Sequence, residues 1–205
     1  MSNFSNQNNI ELELRAEVSL AEFESLLARL RQETQPLSEV KRLSVMFHGE
    51  MNGIPVDIRV RIKDDKRAEV VIKKGALHSA NRTEVAQEIA PEQFLGMVRV
   101  FSAFGLQTKV TERENFNFSL PNDIVFTLTK TNDIIYAELE KMSNPENVES
   151  NKIELLKIID QYGLRLIDRE EDFYDLCKRL DEYDWFFQGT ADHHEQLEKL
   201  LSQYC

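Results

Sequence analysis

Ile10-Glu11-Leu12-Glu13-Leu14-Arg15 alternates apolar with charged residues, and Asp57-Ile58-Arg59-Val60-Arg61-Ile62-Lys63 does the same with the opposite sign of charge. Successive side chains of a strand point to opposite faces, so each stretch carries an aliphatic row on one side and full charges on the other. Both read as β-strands. The pattern recurs elsewhere: Glu69 and Lys73 lie opposite Val70 and Ile72, Glu138 and Glu140 flank Leu139, and Arg82 with Glu84 and Lys109 with Arg113 add two more rows. Taken singly, each row fits an antiparallel sheet with one solvated face. Taken together, acidic pairs occupy the first and last strands and basic pairs the middle ones, and this segregation of sign points to a site. If the sheet curls until its charged faces converge, helices can cover the aliphatic outer faces and the interior becomes a channel lined by carboxylates and cations.

The rest of the chain supplies the other elements. Ser19 with Glu22 makes a capping box, and Leu20, Phe23, Leu26, Leu27 and Leu30 then recur at helical spacing to about Gln32. Short β-rich runs follow: Leu43 to His48, a Gly53-Ile54-Pro55 turn, Val56 to Lys63, and Arg67 to Lys74. Arg82 to Ile89 is a further strand. A helix over Glu92 to Phe104 is expected, opened by Pro91 and ended by Gly105, with Phe94, Met97, Val98, Phe101 and Phe104 as its buried stripe. Strands return at Gln107 to Phe118, Ile124 to Lys130 and Ile134 to Met142. From Pro145 the periodicity is helical, with Ile153, Leu156, Ile159 and Tyr162 on one stripe and Phe173, Leu176, Leu180 and Tyr183 on the next. The order predicts an α+β protein with a mainly antiparallel sheet. Met1 to Asn9 reads as a flexible tail, and residues 10–205 as a single domain whose helical part begins near 145.

Composition narrows the function classes. The chain has 205 residues and a formal net charge of −11, which argues against extended nucleic-acid binding or an anionic membrane partner, since both need a basic surface. No apolar run reaches bilayer length and no secretory leader is evident, so the cytoplasm is the expected compartment. Cys177 and Cys205 are too few for a disulfide framework or a thiolate zinc site. No Gly-rich phosphate loop or nucleophile elbow is present. His193 and His194 are adjacent on a helix and diverge, His48 and His78 read as turn or surface residues, and Trp185-Phe186-Phe187 reads as helix packing.

Carboxylates two apart on a strand can share a hard divalent cation such as Mg2+ or Mn2+, and Arg or Lys opposite them can grip phosphate oxygens. With these residues in place the chain resembles the CYTH, or triphosphate tunnel metalloenzyme, superfamily. Glu11-Leu12-Glu13-Leu14-Arg15 looks like its Glu-x-Glu-x-Lys signature, and Arg59-Val60-Arg61 its Arg-x-Arg strand. Lys73-Lys74-Gly75 is similar to its Lys-Gly strand end, Arg82-Thr83-Glu84 to Arg-x-Glu, Thr111-Glu112-Arg113 to Lys-x-Arg, and Glu138-Leu139-Glu140 to the closing Glu-x-Glu. The resemblance covers roughly Ile10 to Leu180.

It implies an eight-stranded antiparallel β-barrel forming a tunnel, with helices packed outside and a helical C-terminal region. It further implies a small-molecule triphosphate substrate and Mg2+ or Mn2+ as cofactor. Carried over by position, Glu11, Glu13, Glu138 and Glu140 are metal-side carboxylates. Arg15, Arg59, Arg61, Lys73, Arg82, Lys109 and Arg113 hold phosphate, with Lys74 as an alternative to Lys73. Glu138 or Glu84 would orient the attacking water. The departures are Thr111 in place of the family's Lys, Thr127 and Thr129 where an acidic residue is usual, and Ala86 in place of a second Glu. The acidic and basic rows make hydrolysis of inorganic triphosphate, thiamine triphosphate or a nucleoside triphosphate the leading expectation. Cyclic AMP formation from ATP and capture without turnover are the alternatives. The C-terminal region is expected to cap one tunnel mouth or to form a homodimer interface.

Overall fold

The computed structural model describes residues 10–204. The expected tail, Met1 to Asn9, and Cys205 lie outside them. Strand β1 (Ile10–Val18) leads to helix α1 (Leu20–Glu33), then β2 (Gln35–Met51), β3 (Ile54–Lys63), β4 (Ala68–Lys74) and β5 (Asn81–Ile89). Helix α2 (Phe94–Ser102) follows, then β6 (Gln107–Leu120), β7 (Ile124–Thr131) and β8 (Ile134–Ser143). The C-terminal part holds α3 (Val148–Tyr162), β9 (Arg165–Leu166), α4 (Glu170–Asp181), β10 (Trp185–Phe186) and α5 (Ala191–Leu201).

The eight long strands pair antiparallel in the order β6-β2-β3-β4-β5-β1-β8-β7, and pairing of β6 with β7 closes the ring. The expected eight-stranded tunnel is therefore present, with β9 added to β1 and β10 to β6. The seam between β1 and β5 is short, running from Ile10 opposite Thr83 to Leu12 opposite Asn81. Closure forces the alternation of each strand to resolve into an inside and an outside.

Outside, two apolar layers take the aliphatic rows. Leu12, Leu14, Ala16 and Val18 of β1 join Phe126 and Leu139 beneath Phe23, Leu26, Leu27 and Leu30 of α1 and Leu155 and Ile159 of α3. Leu43, Val45 and Phe47 of β2 and Val56, Ile58, Val60 and Ile62 of β3 meet α2 and α5 through Phe94, Val98, Leu197 and Leu201. Each fully buried side chain of this size contributes about 1.5–3 kcal/mol relative to exposure, so the helices are held by packing more than by propensity. A third, smaller group joins Ile134 and Tyr136 to Leu176 and Leu180, seating α4 against the barrel.

Several expectations need correction. Strand β2 begins at Gln35, not Leu43, because pairing with β6 extends the strand across a polar stretch and an irregularity between Pro36 and Ser38. The hairpin turn is Asn52-Gly53, both at positive φ, so Pro55 lies within β3. The helix near Pro91 starts as a 3-10 turn over Pro91–Gln93, and Phe104 is exposed beyond its end. In α3 the buried positions are Leu155 and Ile159, whereas Ile153 faces solvent. The capping box of Ser19 and Glu22 is present as expected.

Candidate active site

The tunnel interior has two chambers that share lining residues. One, of about 160 Å3, is lined by Glu11, Glu13, Lys73, Glu84, Glu140 and their neighbours. The other, of about 360 Å3, lies under α4 and is lined by Arg15, Arg82, Lys109, Arg113 and a set of apolar side chains. Arg42, Arg59 and Glu138 line both and form the waist between them.

In the first chamber the register of β1 and β8 sets Glu13 opposite Glu140 and Arg15 opposite Glu138. Carboxylate oxygens of Glu11, Glu13 and Glu140 lie within 4.8 Å of one another, close enough to share one cation. The Lys73 ammonium stands there instead, 2.5 Å from Glu11, 3.2 Å from Glu13 and 3.0 Å from Glu84. A protein cation bridging these carboxylates shows that the donor set suits a positive ion, and oxygen-only donors suit Mg2+ or Mn2+. Burial, opposed by Lys73, pushes Glu11 up to about 7, and burial with the Glu13 charge pushes Glu140 up to about 8. Glu13 is itself buried, yet Arg15 and Lys73 hold it well below the usual range. The cluster thus keeps excess negative charge that it relieves by binding protons or a metal.

Glu138 stands apart from this trio. Its carboxylate accepts from Arg15 Nε at 3.4 Å and from Thr129 Oγ1 at 3.5 Å, and burial together with Glu13 raises its pKa. Thr127 faces Glu138 across the strands and Thr129 holds it, so the two positions lacking an acidic residue support this carboxylate through neutral neighbours.

The cations expected to hold phosphate all point inward, but most already have partners. Arg59 donates to Asp57 at 2.8 and 2.5 Å, and Arg82 lies 3.6 Å from the same carboxylate. Asp57 is fully buried, and against that burial Arg59 keeps its pKa far below the ordinary carboxylate value. Arg61 is 3.5 Å from Glu69, and Arg15 also contacts Glu13. Lys73 takes the interior place that alternation predicts, while Lys74 faces solvent. Arg113 makes a two-pronged pair with Asp184 at 2.7 and 2.8 Å, and Lys109 reaches Asp181 at 2.7 Å. These two cations tie the C-terminal segment across the second chamber.

Thr111 is buried beside Met46, with a hydroxyl that reaches only sulfur at 3.9 Å. Over the same chamber α4 presents Phe173, Leu176 and Leu180, and the Arg15 guanidinium sits 5.0 Å from the Phe173 ring. His48, expected at the surface, lines this chamber 3.7 Å from Asp57, and burial lowers its pKa. His78 stays exposed beside Glu170, and His193 accepts from the Gln188 amide while packing on Trp185. Trp185 and Phe187 pack against α5 as expected, through His193, His194, Leu197 and Leu201, and Trp185–Phe186 also pair with β6 as a short strand.

Sequence reasoning missed Arg42, Asp57 and Asp184. The first two carried a signal, since Arg42 alternates with Ser44 and His48, and Asp57 with Arg59. Asp184 carried none, because its loop is placed by α4 and not by any strand period.

No protein-family model and no curated protein matches the sequence. Solved structures do match. The PH1012 protein from Pyrococcus horikoshii OT3 is 21% identical with a TM-score of 0.61, covering 79% of this chain and 93% of that one. A candidate adenylate cyclase from Vibrio parahaemolyticus is 15% identical with a TM-score of 0.61, covering 78% and 91%. HpAC1 from Hippeastrum, an adenylyl cyclase candidate described as having a dominant triphosphatase activity, is 16% identical with a TM-score of 0.50, covering 79% and 91%. Those likenesses show that the chain shares the fold of these proteins, a closed ring of eight antiparallel strands, as the resemblance in the sequence implied.

Proposed function

We propose that the protein is a divalent-metal-dependent enzyme that hydrolyses a small triphosphate. The observation that carries this reading is the convergence, inside one tunnel, of the Glu11, Glu13 and Glu140 oxygens with inward-facing guanidinium groups at the waist. Glu11, Glu13 and Glu140 would hold Mg2+ or Mn2+, which when bound neutralises charge on the phosphate chain. Arg15, Arg59 and Arg61 hold phosphate oxygens, and Arg guanidinium does so in two-pronged fashion. Water attacks the terminal phosphorus, the bridging P–O bond breaks, and the proton leaves to a carboxylate. Glu138, whose pKa is raised and whose orientation is held by Arg15 and Thr129, is the acceptor. Thr111 offers a hydroxyl where an amine would stand, so the proton is assigned to Glu138.

A second reading is favoured by the chamber under α4. Its 360 Å3 and its lining of Tyr136, Phe173 and Leu176 leave space beyond the phosphates for an organic group. ATP could close there to cyclic AMP with loss of pyrophosphate, the activity suggested for the Vibrio parahaemolyticus protein. Phosphate release and cyclic AMP measured in parallel, with Mg2+ or Mn2+ and inorganic, thiamine or nucleoside triphosphates, separate the two readings. Phosphate without cyclic AMP, lost when Glu11→Gln and Glu13→Gln are combined, is the expected result. Absence of any turnover, or turnover unchanged in that double variant, refutes the proposal.

A further inference from the structure

Arg42 is set apart from the other tunnel cations. Arg15, Arg59, Lys73, Lys109 and Arg113 each have a carboxylate oxygen within 3.4 Å. Arg61 and Arg82 have one at 3.5 and 3.6 Å, and Lys63 has one at 3.9 Å. Among the described residues no carboxylate is paired with Arg42 within 4.0 Å, and its buried Nε, like Nε of Arg61 and Nε and Nη1 of Arg82, has no hydrogen-bond partner. The cross-strand neighbours make this worse. Arg42 faces Lys63 on β3 and Arg113 on β6, so both flanking strands present another cation. Like charges directly opposite one another destabilise a sheet, and a half-buried guanidinium whose Nε lacks a partner adds to that cost. Burial, reinforced by Arg61, pulls the Arg42 pKa down to about 10.

This charge also sits at the waist, where Arg42 lines both chambers. A polyanion threading from the acidic chamber to the capped one must pass it. The other cations must give up an internal carboxylate to take phosphate, whereas Arg42 gives up nothing. We propose that Arg42 is the primary anchor for the oxyanion chain of the substrate, ahead of the cations on the charge-patterned strands. Strand β2 carries none of the six motif elements, so nothing in the family resemblance assigns this role. The inference rests on the triphosphate reading above and identifies where in the tunnel the anion gains most.

The test uses the full chain, inorganic triphosphate and Mg2+, with calorimetric titration of wild type, Arg42→Gln and Arg42→Lys. Loss of a charged hydrogen-bonding partner predicts about a 10- to 100-fold rise in Kd for Arg42→Gln, with Arg42→Lys between it and wild type. Ligand-free thermal unfolding provides the second measurement. Removing an unpaired, half-buried charge should leave the melting temperature of Arg42→Gln equal to or above that of wild type, so affinity and stability move in opposite directions. A Kd within twofold of wild type, or a lowered ligand-free melting temperature, overturns the inference while leaving the proposed function standing. A wild type that binds no triphosphate overturns both.

Discussion

Replacement of Lys73 by Met tests whether the acidic chamber is a cation site held in check by a protein cation. The ammonium lies within 3.2 Å of Glu11, Glu13 and Glu84, and its side chain is only 4% exposed. Removing one partner of a buried ionic cluster costs about 3–5 kcal/mol, because the remaining charges stay buried without compensation. For a chain of this length each kcal/mol moves the melting temperature by about 2–4 °C, so Lys73→Met should melt roughly 6–20 °C below wild type near pH 8. Protonation is the response left to the carboxylates, so the deficit should shrink near pH 5. Millimolar Mg2+ or Mn2+ should also restore stability, by about 2.7 kcal/mol at a hundred times its Kd. Urea unfolding at pH 5 and pH 8, with and without metal, supplies the measurement. A deficit below about 1 kcal/mol at pH 8, or one that acid leaves unchanged, would refute the reasoning.

The wild type should carry the same signature in milder form. Glu11 and Glu140 have folded-state pKa values raised to about 7 and about 8, so their contribution to stability is complete below the unfolded value near 4.5 and is lost as pH rises through 7 to 8. Melting temperature without metal should therefore fall between pH 5 and pH 8.5, and Mg2+ should flatten the slope; a rising or flat metal-free profile would contradict this. Asp184→Asn leaves the buried Arg113 guanidinium without its two-pronged partner and should cost about 3–5 kcal/mol, read by urea unfolding. Limited proteolysis of that variant should cut first in the segment around α4 and β10. Phe126→Ala, at a fully buried position beneath α3, should cost about 3–5 kcal/mol without altering the tunnel, so surviving protein should bind triphosphate with wild-type affinity.

Local sequence determined the strands and their two faces. The period of two in Glu11 to Arg15, Arg59 to Lys63 and Glu138 to Glu140 is a property of neighbouring residues, and burying the aliphatic side forces the charged side inward once the sheet closes. The same rule selected Lys73 over Lys74. The capping box at Ser19 was legible for the same reason, since its hydrogen bonds span only three residues. What the tertiary structure decided is which charges meet. Glu13 meets Glu140 through the register of β1 and β8, Lys73 enters their cluster from a strand some sixty residues away, and Asp184 captures Arg113 across 71 positions. Arg42 lost its place in the reading because β2 extends further than its polar start suggests, and its isolation depends on the two strands that flank it. Pairing and isolation of charge are properties of distance in space, set by closure of the ring and by the seating of α4 on Tyr136, and no local pattern encodes them.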